Sequence, residues 1–197
     1  MRVISGRFKG VALTTPKSGT RPTTDRTKEA IFSHLDSWGV LDDARVLDLF
    51  AGTGALGIEA LSRGARELVA VESSAPAAAL IAQTLTALKH NRSWEHGMSA
   101  RVVKARAEKY AASASAVEPF DMVFIDPPYA FETNDCNQLL ADLASRELTS
   151  SNTVIMLERS TRSEAPTAPA NWEITDRRDY GETAVYYIEP SEPIAES

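Results

Sequence analysis

Two short segments hold residue types whose spacing suits joint chemistry. The first is Asp126-Pro127-Pro128-Tyr129, which follows the largely apolar run Phe120–Ile125. The Asp126 carboxylate and the Pro127 carbonyl offer two hydrogen-bond acceptors to a single amine. An exocyclic amine on a nucleobase is a poor nucleophile, because its lone pair is delocalised into the ring. Two acceptors gripping its N–H bonds would hold the nitrogen more pyramidal and aim the lone pair, a gain of orientation and electrostatics. Asp126 or water would take the proton that must leave. The prolines stiffen the loop and keep the Pro127 carbonyl available. Tyr129 supplies a face on which a flipped base can stack. A capping Asp before a Pro-Pro turn is the plainer alternative.

The second segment is Asp48-Leu49-Phe50-Ala51-Gly52-Thr53-Gly54-Ala55-Leu56-Gly57. Gly52, Gly54 and Gly57 spell G-x-G-x-x-G, and Glu72 lies 20 residues past Gly52. This is the pattern of a loop and an acid that hold an adenosine-type cofactor. It does not by itself separate a nicotinamide dinucleotide from S-adenosylmethionine. Asp48 favours the second. A carboxylate just before the glycines would repel a pyrophosphate but attract the ammonium and sulfonium of S-adenosylmethionine.

These segments need a frame that brings them together. From residue 45 onward strand and helix patterns alternate. Strands are expected at 45–50, 67–71, 100–104, 120–125 and 153–158, and helices at 55–63, 77–90, 107–113 and 137–145. That order argues for an α/β doubly wound sheet, whose ligands bind outside the carboxyl ends of the strands. Residues 172–178 and 183–188 read as an antiparallel pair closing one edge. Ahead of this core, residues 2–5 and 10–13 read as a short hairpin. A connector over 14–23 then leads to a helix capped by Thr24 or Asp25, with Ile31, Leu35 and Trp38 as its core stripe. Three parts follow: a basic hairpin extension at 1–20, a catalytic domain at 21–189 and a loose acidic tail at 190–197.

Composition bounds the remaining choices. The chain has 197 residues, of which 43% are hydrophobic, and one cysteine, Cys136, so no internal disulfide can form. A reducing cytoplasm fits. No apolar run reaches the ~20 residues of a membrane helix, and no signal-peptide block opens the chain. The net charge of −6 is unevenly spread. Arg2, Arg7, Lys9, Lys17, Arg21, Arg26 and Lys28 face one acid, Asp25, within residues 1–28, giving +6 there and −12 elsewhere. Such an arm suits phosphate, although a solvated basic terminus explains the charge equally well. His34, His90 and His96 are isolated and lack metal-ligand spacing, so no metal is expected. Cys136 has no base close in sequence and reads as structural.

Together the two motifs resemble Rossmann-like methyltransferases that act on nucleobase amino groups. The match is closer still to the RsmD family, bacterial small-subunit (16S) rRNA guanine-N2 methyltransferases. It runs over nearly the whole chain: Arg2 to Gly10, the stretch Arg21-Pro22-Thr23-Thr24-Asp25-Arg26-Thr27-Lys28-Glu29, Asp48 to Gly64, Asp126 to Tyr129, and Pro169 to Trp172. The resemblance implies a class I fold, a seven-stranded, mostly parallel sheet with the last strand antiparallel. It implies that Asp126, Pro127, Pro128 and Tyr129 carry the target guanine. It implies that Asp48, Phe50, Ala51, Gly52, Thr53, Gly54, Gly57 and Glu72 hold S-adenosylmethionine. Arg2, Arg7 and Lys9 would grip 16S rRNA, a small ribosomal subunit or its assembly intermediate. Arg21 and Arg26 would border the RNA backbone or the methionine end of the cofactor. A cytoplasmic monomer is expected. One position departs from the pattern: where an Asp or Asn often bonds the cofactor's adenine, this chain has Arg106, which has no acceptor. Two other readings stay open. A DNA adenine-N6 or cytosine-N4 methyltransferase fits the Asp126 motif alone, and a non-catalytic assembly factor would keep the fold without the chemistry.

Overall fold

Apolar runs form the middle of the sheet in a computed structural model that describes residues 1–14 and 24–192. β1 (Arg45–Leu49) and β4 (Met122–Ile125) are buried along their whole length. β2 (Glu67–Glu72), β3 (Ser99–Lys104) and β5 (Val154–Ser160) extend the parallel sheet on either side of them. β6 (Trp172–Tyr180) and β7 (Thr183–Pro190) close it, in the order β3-β2-β1-β4-β5-β7-β6. β7 runs antiparallel to both β5 and β6, so six strands are parallel and the last is reversed. This is the expected fold class.

The helices are α1 (Asp25–Trp38), α2 (Ala55–Ser62), α3 (Ala75–Lys89), α4 (Ala107–Ser113) and α5 (Thr133–Ser145). Strand alternation sorts the sheet's side chains into two cores. Val46, Phe124 and Met156 join α1, α2 and α3 on one face. Leu47, Leu49, Val123, Ile125, Ile155 and Leu157 join α4 and α5 on the other. Each fully buried Leu, Ile or Phe contributes about 1.5–3 kcal/mol of transfer free energy. Thr24 caps α1, its hydroxyl accepting from the Thr27 amide.

Several boundaries differ from expectation, each for a local reason. α5 starts a turn earlier than residue 137, because its first turn is polar and Glu132 caps it without a side-chain bond. β6 runs on to Tyr180 as an exposed edge strand whose D-R-R-D stretch carries no apolar alternation. Trp38 is not core. It is 38% exposed at the last residue of α1, packed edge-on against Tyr187 just before the left-handed Gly39. No described helix is long and apolar enough to cross a membrane.

The N-terminal hairpin is built into the core rather than standing off it. Its strands shrink to one bridge, Arg2 to Ala12, flanked by bonds from Val3 N to Val11 O and from Leu13 N to Met1 O. The reason lies in Glu59. This carboxylate is fully buried and accepts from the Ile4 and Ser5 amides, which draws them away from cross-strand pairing. It also receives Lys28 Nζ at 3.4 Å and Arg63 Nε at 3.1 Å. Val3, Phe8 and Leu13 then join the core of the α1 face.

Candidate active site

The glycine loop turns sharply at the carboxyl end of β1. Phe50, Gly52 and Gly54 all have left-handed φ values, 58°, 61° and 80°. Glycine relieves the steric cost at two of these positions, whereas Phe50 bears it, held edge-on against Phe131 at 5.0 Å. That contact ties the glycine loop to the segment just after Asp126-Pro127-Pro128-Tyr129. Gly57 serves another purpose. A Cβ there would sit 2.5 Å from Leu68 Cδ1, so glycine lets α2 lie close on the sheet.

Two acids belong to this loop. Glu72, at the end of β2, accepts from Gly52 N and Ser74 N, each at 2.8 Å. Asp48 is 1% exposed. Its Oδ2 accepts from Gly57 N at 3.1 Å, and its Oδ1 accepts no hydrogen bond among the described residues. Burial, helped by the nearby charges of Asp126 and Glu72 and opposed by the Gly57 amide, pushes the Asp48 carboxyl up to about 8.

Both segments open on one cleft of about 590 Å³. Its wall includes Asp48, Phe50, Ala51, Gly52, Thr53 and Glu72 from around the glycine loop, and Asp126, Pro127, Pro128 and Tyr129 from the segment after β4. Tyr129 is 71% exposed at the rim. The cleft residues fit S-adenosylmethionine. A buried carboxylate with an unused oxygen suits an ammonium, and Glu72 stands where ribose hydroxyls are held in such sheets. Glu72 also occupies the Gly52 amide, a donor that a dinucleotide's pyrophosphate would need. The cleft's carboxylates, Asp48, Glu72, Glu108, Asp126, Glu158 and Glu182, further disfavour a phosphate ligand.

Other expected residues lie elsewhere. Gly54 and Gly57 shape the loop from behind; neither lines the cleft. Arg106 lines it but points its guanidinium at Glu108, at 2.6 Å, with the side chain 67% exposed. The basic arm is divided in its use. Arg7 donates to the Leu61 and Ala65 carbonyls and pairs with Glu95, so it tethers the hairpin to α2. Lys28 is 1% exposed and bound to Glu59. Lys9 and Arg26 are exposed, and Arg2 is exposed while donating to the Gly10 carbonyl. Arg21 lies outside the described residues. Cys136 is 1% exposed, and burial pushes its thiol up, against a nucleophilic role.

Among the cleft residues that sequence reasoning missed, four come from the start of α1 and the end of β5. Thr24 and Thr27 reach it from the first turn of α1. Glu158 and Arg159 reach it from the end of β5. Arg159 donates to the Phe131 carbonyl at 2.8 Å and so braces the loop after Tyr129. Their signal was available: an acid at the carboxyl end of a sheet strand marks Glu158 as it marked Glu72.

Comparison with known proteins agrees with this geometry. The family model described as "Conserved hypothetical protein 95" matches residues 1–189. Ribosomal RNA small subunit methyltransferase D of Escherichia coli (strain K12) is 34% identical over 185 residues, covering 93% of this chain and 87% of that one. The solved structure of yhhF from Escherichia coli superposes with a TM-score of 0.82 at 32% identity, covering 97% of this chain and 98% of that one. Magnesium protoporphyrin IX methyltransferase from Synechocystis, solved with bound S-adenosylmethionine, shares the fold at 14% identity and a TM-score of 0.62, covering 88% of this chain and 87% of that one. The site is thus set on a class I methyltransferase fold, and the chain belongs to the Conserved hypothetical protein 95, or RsmD, family.

Proposed function

We propose that this chain transfers a methyl group from S-adenosylmethionine to the exocyclic N2 of a guanine in small-subunit (16S) ribosomal RNA. The observation that carries the reading is the shared cleft, in which Asp48 and Glu72 stand on one side and Asp126 and Pro127 on the other. S-adenosylmethionine supplies a methyl on a positively charged sulfur, ready for direct displacement. Asp48 and Glu72 hold the two ends of its amino-acid and ribose portions. The Asp126 carboxylate and the Pro127 carbonyl accept the two N–H bonds of the guanine amine and point its lone pair at that methyl. Tyr129 stacks on the extruded base. As the new N–C bond forms, the methyl–sulfur bond breaks and the amine sheds a proton to Asp126 or to water. The E. coli relative's name supports the RNA class of substrate. Lys9, Arg2 and Arg26 offer exposed cations for its phosphates.

The test incubates the protein with methyl-labelled S-adenosylmethionine and small subunits from cells lacking the enzyme, then separates the RNA nucleosides. Label in N2-methylguanosine is expected, and Asp126→Asn should remove it while S-adenosylhomocysteine binding persists. Label in DNA instead would support the DNA-methylating reading. Transfer to neither would support an assembly factor.

A further inference from the structure

We propose that Glu158 reads the Watson–Crick edge of the target base, accepting a hydrogen bond from N1–H and thereby selecting guanine. The inference rests on the guanine-N2 reading above and goes beyond it by assigning the group that recognises the base.

Ile125, the last residue of β4, pairs with Leu157 of β5, so Asp126 leaves its strand end beside the point where β5 continues into Glu158; paired strands lie about 4.8 Å apart. Ile125 and Leu157 both face the α4–α5 core, and Phe124 and Met156 both face the α1 core. Alternation therefore turns Glu158 to the α1 face, from which Thr24 and Thr27 complete the cleft wall, and Asp126 lines the same wall. Glu158 is 7% exposed, and both carboxylates belong to that wall.

Guanine presents two neighbouring donors along one edge, the N2 amine and N1–H. Two neighbouring carboxylates on adjacent strand ends match them in number and in order. With the amine at Asp126 and Pro127, N1–H falls towards β5. Adenine and 2,6-diaminopurine instead carry a lone pair at N1, which would confront a buried carboxylate with no shared hydrogen. A site built to bond a donor rejects an analogue lacking it far more strongly than a pocket that discriminates by shape, because its own polar group is left unmatched. Diaminopurine keeps the reactive N2 amine, so it isolates the N1 contact from the chemistry at Asp126.

The experiment uses small-subunit RNA carrying either guanine or 2,6-diaminopurine at the methylated position, joined by ligation and assembled into subunits. The wild-type protein should favour guanine by about 100-fold in kcat/KM, the upper end of the cost of leaving one buried acceptor unmatched. Glu158→Gln, whose amide can accept from N1–H or donate to N1, should compress that preference to about tenfold or less. A wall residue of purely structural importance would lower both rates alike and leave the ratio unchanged, which would overturn the assignment. S-adenosylhomocysteine binding checks that the variant is folded. Should it not fold, equal wild-type rates on the two RNAs would overturn the proposal on their own. Absence of N2-methylguanosine from the guanine RNA would bring down the parent reading, and this one with it. N2-methylguanosine formed with unaltered selectivity in the variant would bring down the Glu158 assignment alone.

Discussion

Titrating S-adenosylhomocysteine into the protein at several pH values should expose the proton held on Asp48. Burial pushes this carboxyl up to about 8, so at neutral pH the free protein carries it mostly neutral. The cofactor's α-ammonium, set against the unused Asp48 oxygen, would favour the ionised form and expel the proton. From about pH 5.5 to 7.5 the ligand amine stays largely charged, and affinity should rise close to tenfold per pH unit, about 1.4 kcal/mol each. About one proton should leave per ligand bound, read by calorimetry in buffers of differing ionisation enthalpy. S-adenosylhomocysteine lacks the sulfonium, so the linkage reports on the ammonium alone. Asp48→Asn should flatten the profile and abolish the proton release. A flat wild-type profile, or the same release from the variant, would refute the pairing of Asp48 with the ammonium. The free protein gives a parallel sign. The folded chain holds this proton more tightly than the unfolded chain. The stabilising contribution is therefore complete below the ordinary aspartate value of 3.8 and is lost as pH rises towards about 8.

Other perturbations separate structural from catalytic roles. Glu59→Ala would strand the buried Lys28 ammonium and two hairpin amides, and should cost about 3–5 kcal/mol in urea unfolding; a loss below about 1 kcal/mol would contradict the hub. Arg159→Ala should lower kcat by about tenfold with S-adenosylhomocysteine affinity unchanged, because it frees the Phe131 carbonyl and loosens the catalytic loop. Lys9→Ser should weaken RNA binding and reduce its salt slope by about one charge, whereas Arg7→Ala should act mainly on thermal stability. Equal salt slopes for wild type and Lys9→Ser would remove that lysine from the RNA surface.

Much of this arrangement could be read from residue order. Alternating apolar runs gave the sheet, and the glycines, Glu72 and the Asp126 motif fell at strand ends where ligands bind. What escaped the sequence depended on partners distant along the chain. Nothing near Arg7 or Lys28 announces that they bond the Leu61 and Ala65 carbonyls and Glu59. Trp38 has helical spacing with Ile31 and Leu35, but it ends its helix at the rim, where the stripe runs out of core. The spacing of Gly57 fits the fingerprint, but it does not show that a Cβ there would also collide with Leu68. Glu158 carries the same positional signal as Glu72 but no motif around it, and only the β4–β5 register sets it beside Asp126.

Methyl transfer in this cleft requires two of its segments to lie within one bond's reach of a bound ligand. A crystal structure with S-adenosylhomocysteine bound measures that reach. The ligand sulfur should face the Asp126–Pro127 corner, leaving room for one methyl group and an amine at about 3–3.5 Å from it. A sulfur pointing away from that corner, or a ligand seated outside the wall formed by Asp48, Gly52 and Glu72, would contradict the proposed transfer.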